Sequence, residues 1–284
     1  MEHDIHAPDA QGFIALIHNW CDRRCEKCRF IRQCRVGIME ADLVNESGLP
    51  GAEGVEDDEA RLLRLMGVDP DELEDGDEED DEAMDPDLEQ ALAAHRPQEP
   101  EPDEEAEMQA FQRKHEQQRE AAMNAPLSRL AKAYGELVDD WLEPRMDAFT
   151  QRGITFHPRQ ELGVSAGLRT PEVLVLSEAF EEIGWFQHML WVKCQRALQG
   201  RAEDLDDALD LDPLQSDWNG TAKLCLHILQ RSRAAWSTVA ELLPGEAQGT
   251  AVMLEALERC EDELHRSFPD AEKFIRPGFD APGA

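Results

Sequence analysis

Between Trp20 and Arg35 the chain reads WCDRRCEKCRFIRQCR, which puts four of its seven cysteines among six arginines and lysines. The spacing is Cys21-x3-Cys25-x2-Cys28-x5-Cys34. In a continuous helix the first three fall at i, i+4 and i+7 and share a face, while Cys34 points elsewhere. The backbone therefore has to turn after Cys28 if all four thiols are to converge. The basic flanks argue against four packed core cysteines. Converging thiolates select soft metals, zinc or iron–sulfur, over hard cations. Zinc sites usually take two knuckles separated by a longer spacer. Here a single Cys-x2-Cys pair has a lone cysteine on either side, a compact arrangement that suits a 4Fe-4S cluster, with zinc as the alternative. Arg23, Arg24, Lys27, Arg29, Arg32 and Arg35 would offset the negative charge of a thiolate-bound cluster and raise its reduction potential.

The segment Cys25-x2-Cys28-x5-Cys34, CEKCRFIRQC, resembles the C-terminal half of the iron-staple motif of CRISPR-associated and recombination nucleases. It also resembles part of the auxiliary-cluster motif of SPASM-type proteins. Cys21-x3-Cys25-x2-Cys28 has the spacing of the radical S-adenosylmethionine motif, but Lys27 stands where that family commonly carries an aromatic, and no βα alternation follows. These resemblances span 14 residues or fewer. They imply cysteine ligation of a cluster and carry no expectation for the fold.

The remaining chain divides by charge. Asp and Glu outnumber Lys and Arg by 62 to 28, and residues 53–107 hold 25 of the acids against three arginines. Dense like charge mixed with Pro and Gly predicts an acidic, disordered linker over 41–103. One apolar island, ARLLRLMGV, interrupts it; it reads as a local helix that comes and goes. A cysteine-rich helical module, 1–40, precedes the linker. A helical bundle is expected over 104–276, with a tail at 277–284. The bundle segments break at Pro126, start again at Thr170-Pro171, and run over about Pro213 to Leu243 and Ala247 to Phe268. Leu127, Leu130, Tyr134, Leu137, Val138, Trp141 and Leu142 form one apolar stripe. The segment after Pro171, expected to stop near Gly200, is apolar nearly all round. Leu176, Phe180, Ile183 and Leu190 lie on one side and Leu174, Trp185, Met189 and Val192 on the other, a pattern that predicts the middle of a core. Strand-like alternation is weak. The fold class is therefore all-α, an antiparallel bundle with an N-terminal metal-binding module.

A second site is conceivable between the helices. Glu178, Glu182, His188, Asp217, Lys223 and His227 are its candidates, because polar groups on apolar helices need partners. No Glu-x-x-His of the di-iron type falls on a core face. Gly220, inside a helical pattern, costs ~1 kcal/mol against alanine and calls for close packing or a ligand. Cys194, Cys225 and Cys260 read as core packing. No apolar run reaches the ~20 residues of a membrane helix, and the acidic start is unlike a secretory signal. The cytoplasm, with reduced thiols, is the expected compartment. No basic patch with interleaved aromatics lies outside the cysteine cluster, which disfavours nucleic acid; a protein partner is expected. Three functions follow: an iron–sulfur protein in electron transfer or as a redox accessory, a non-catalytic interaction protein with structural zinc, or an oxidoreductase with its own bundle metal.

Overall fold

The computed structural model describes residues 8–39, 102–156, 170–204 and 212–280. The acidic segment 41–101, its apolar island and the last four residues lie outside them. The chain forms two compact units, residues 1–38 with 112–284, and 39–111. Of the second, only residue 39 and the start of one helix are described.

The fold is all-α; no strand occurs among the described residues. Helices α1 (Pro102–Asn124), α2 (Pro126–Leu142), α3 (Met146–Gln151), α4 (Pro171–Asp204), α5 (Asp217–Leu242) and α6 (Ala247–Ser267) follow in order. Their starts obey the local chemistry of the chain. Pro126 and Pro171 each open a helix, where a missing N–H costs nothing. The Thr170 hydroxyl accepts the Val173 amide at 3.3 Å, and that of Ser216 accepts Asn219 at 3.4 Å. No helix among the described residues is long and apolar enough to cross a membrane.

α4 packs against α5, α5 against α6, α6 against α2 and α2 against α4, so four helices ring one core. Tyr134, Phe180, Phe186, Leu224 and Trp236 are fully buried there, and the Trp236 indole N–H donates to Tyr134 Oη at 3.0 Å. Cys194 and Cys225 meet in the same core, and their mutual contact, then burial, drives the Cys194 thiol far up.

Two sequence expectations change. α4 continues through Gly200 to Asp204. It is also not central: Leu176, Phe180, Ile183, Leu190 and Cys194 are buried, but Leu174 is 42% and Val192 55% exposed. A helix in a ring of four has neighbours on one side only, so its second apolar face stays at the surface. Trp185 on that face is partly covered by the N-terminal segment, its indole N–H donating to the Asp22 carbonyl at 2.8 Å.

Candidate metal centre

The cysteine segment is built from short turns throughout, with no helix carrying Cys21, Cys25 and Cys28 on one face. Three 3₁₀ turns, Ile17–Trp20, Cys25–Lys27 and Ile31–Gln33, are followed by Cys21, Cys28 and Cys34, each with extended backbone. Cys25 opens the second turn. Leu16 and Arg23 both take φ of 57°, the left-handed region that non-glycine residues seldom enter, and they bracket Cys21. The Ile14 amide donates to the Gln33 carbonyl at 3.0 Å and closes the segment on itself.

This folding brings all four cysteines to the wall of one pocket. Ile17, Phe30, Ile31, Val36 and Phe279 supply its apolar lining and His18, Asp22, Arg23 and Arg24 its polar part. Backbone amides point at the sulfurs: Phe30 N–H donates to Cys28 Sγ and Gly37 N–H to Cys34 Sγ, both at 3.4 Å. The Arg23 amide also bonds Cys21, whose thiol donates to the His18 carbonyl at 3.4 Å. Burial raises the Cys21 and Cys28 thiols above their ordinary value, and the amide bonds act in the opposite sense. A bound cation would reverse the balance, since a coordinating thiol is deprotonated outright. Among the described residues no three Cys, His, Asp or Glu side chains are gathered tightly enough to chelate one ion.

The segment is anchored to α4 and α5. Trp20 lies against Phe274 at 4.9 Å, its indole N–H 3.4 Å from the Asp217 carbonyl. Arg24 is 2% exposed, with Nε 2.6 Å from Glu26 and Nη1 3.1 Å from Glu182, and its Nη2 pairs with Glu181. Arg231 of α5 joins Glu182, at 2.6 Å, to Asp22. Residues 274–280 close the other side. Phe279 meets Phe30 edge-on at 5.1 Å, and Asp280 pairs with Lys223 at 2.8 Å and Arg276 at 3.1 Å.

Burial alone would raise the Asp280 carboxyl, but hydrogen bonds from Arg276 and Lys223 bring it down to about 2. A carboxyl depressed on folding stabilises above its unfolded pKa, near 4, and loses that contribution as pH falls through its folded pKa. Asp280→Asn should therefore cost about 1–2 kcal/mol at neutral pH. Urea midpoints of variant and wild type should draw together as pH falls from 4 toward 2; a gap that does not narrow would refute the assignment.

The six candidates between the helices do not form one cluster. Glu178 is exposed on α4. Glu182 serves Arg24 and Arg231, exposed His188 stands 3.5 Å from Asp139, and Asp217 binds Arg196 at 2.9 Å. Lys223 and His227 do line one groove, with Arg233, Glu261 and Arg276. Burial first, then the Arg276 and Arg231 charges, lower the His227 pKa. Gly220 is explained by packing: a Cβ there would come 2.5 Å from Trp20 Nε1 and 2.6 Å from Phe274 Cζ. Sequence reasoning missed Arg24 as a buried anchor and Phe279 as pocket wall. The one available signal was FIRPGF, residues 274–279, an aromatic pair around Pro-Gly beyond the last helix.

No protein-family model matches this chain, and neither does any curated protein or solved structure compared with it.

Proposed function

We propose that this is a metal-binding protein whose Cys21, Cys25, Cys28 and Cys34 hold a 4Fe-4S cluster. It acts in electron transfer or as a redox accessory to a protein partner in the reducing cytoplasm. In this reading the cysteine-rich N-terminal module docks on an antiparallel helical bundle. The observation that carries the proposal is that four thiols from three separate turns line one pocket, with backbone amides directed at three of the sulfurs. Amide bonds to sulfur are among the devices that tune iron–sulfur centres.

Four cysteines leave a cluster no open ligand position, which favours electron transfer over substrate chemistry. The test is iron, zinc and acid-labile sulfide content of anaerobically purified protein, with its visible spectrum. About four iron and four sulfide per chain, and a band that bleaches on reduction, are expected. Cys34→Ser should abolish both. One zinc with no colour would replace this reading with a structural site, and no metal at all would end it.

A further inference from the structure

We propose that residues 274–280 form the cover of the four-cysteine centre, with Phe279 the positioning residue that limits access of water and small oxidants to it. The inference rests on reading the pocket as a metal centre. It names a part of that centre which comes from the opposite end of the chain.

The segment is fitted to the pocket at several points. Phe279 both lines the pocket and packs on the small cluster of Ile14, Ile17 and Cys34. Gly278 has φ of +75°, and a Cβ there would come 2.8 Å from Ile17 Cδ1, so the backbone runs hard against the module. Two latches hold it. Phe274 packs at a tilt against Trp20, with its carbonyl accepting from Lys223, and Asp280 is bound by Lys223 and by Arg276, whose guanidinium also lies over the Phe279 ring at 5.1 Å. A proline-glycine segment with no function of its own does not require this much fixing.

The expected consequence has a definite sign. Reduction adds negative charge to an already anionic thiolate-bound centre. A phenyl ring in place of water makes that charge costlier, so the cover lowers the potential and slows attack by oxidants. Opening it should raise the potential.

The experiment uses the full chain, loaded and purified anaerobically. Phe279→Ala should shift the midpoint potential upward and bleach several-fold faster in air than wild type. Phe279→Leu should stay near wild type, and so should Ile275→Ala, whose side chain is exposed on the same segment. Unchanged potential and lifetime in loaded Phe279→Ala protein would overturn the cover and leave the metal reading intact. A wild type that binds no metal would overturn the metal reading alone, and the cover is then judged on the thiols. Under anaerobic reducing conditions, iodoacetamide should alkylate Cys28 and Cys34 several-fold faster in Phe279→Ala. Cys194, Cys225 and Cys260 stay unlabelled as the control for folding. Equal rates would overturn the cover. Should Phe279→Ala fail to fold, Asp280→Asn releases one latch with Phe279 in place. The same direction at smaller size is then expected, and no change would count against the proposal.

Discussion

Arg24→Ala is expected to lower stability by about 3 kcal/mol and to release the cysteine segment from α4. The guanidinium is 2% exposed and faces three carboxylates, those of Glu26, Glu181 and Glu182. Its Nη1 is 3.1 Å from Glu182 yet makes no hydrogen bond of good angle, so charge more than directional bonding holds that contact. Around it the other cations are Lys27, 3.1 Å from Glu181, and Arg231. Removing Arg24 leaves two cations among Asp22 and the three glutamates, at a place where Glu181 and Glu182 are only 17% and 13% exposed. Glu181 keeps Lys27 and Glu182 keeps Arg231, but four carboxylates then share two cations with little water to screen them, and breaking a buried network costs more than an exposed pair contributes. The loss also removes the cation over the Trp185 ring at 5.4 Å. Arg24→Lys should recover only part of the effect, because an ammonium cannot serve three carboxylates at fork geometry. Urea unfolding gives the stability, and hydrogen exchange of the amides over 14–34 shows whether the segment detaches. A loss below about 0.5 kcal/mol would place these pairs with ordinary screened surface bridges.

Arg24 also shows what the sequence conceals. Arg23 and Arg24 are adjacent and chemically identical, and nothing in their neighbourhood marks one for burial. Only the left-handed turn at Arg23 sends one outward and the other onto α4. Helical elements were legible because their signals are local: apolar residues at 3.6 spacing, and Pro126 and Thr170-Pro171 at helix starts. The cysteine spacing was legible as four thiols that could share one pocket, and all four line it. The turns that would bring the four thiols together were not, because they depend on distant contacts, Ile14 with Gln33 and the whole segment with residues 274–280. The apolar second face of α4 misled for a related reason. Periodicity counts apolar residues on a helix and says nothing about how many neighbours are available to cover them. Glu182 was singled out as a buried polar group in need of a partner. Its partners are arginines from the N-terminal segment and α5.

Gly220→Ala is the second large effect, and its sign is the informative part. In an isolated helix the change should stabilise by ~1 kcal/mol, since alanine restricts the unfolded chain and suits the helix. Here the new Cβ would sit 2.5 Å from Trp20 Nε1 and 2.6 Å from Phe274 Cζ. Both rings are rigid and buried, so they have to move as bodies, and overpacking of this kind costs about 1–3 kcal/mol. The net expectation is destabilisation of about 1–2 kcal/mol. The displacement would also reach the pocket, because Trp20 directly precedes Cys21 and Phe274 anchors the segment that carries Phe279. On the proposed metal reading, metal retention should therefore fall with stability. In a background of Trp20→Ala with Phe274→Leu, the atoms that obstruct the Cβ are gone, and the same substitution should become stabilising. That reversal separates packing from backbone preference. A Gly220→Ala variant more stable than wild type in the unaltered background would mean that the rings yield freely, and that the close approach on α5 does not hold the cysteine segment in place.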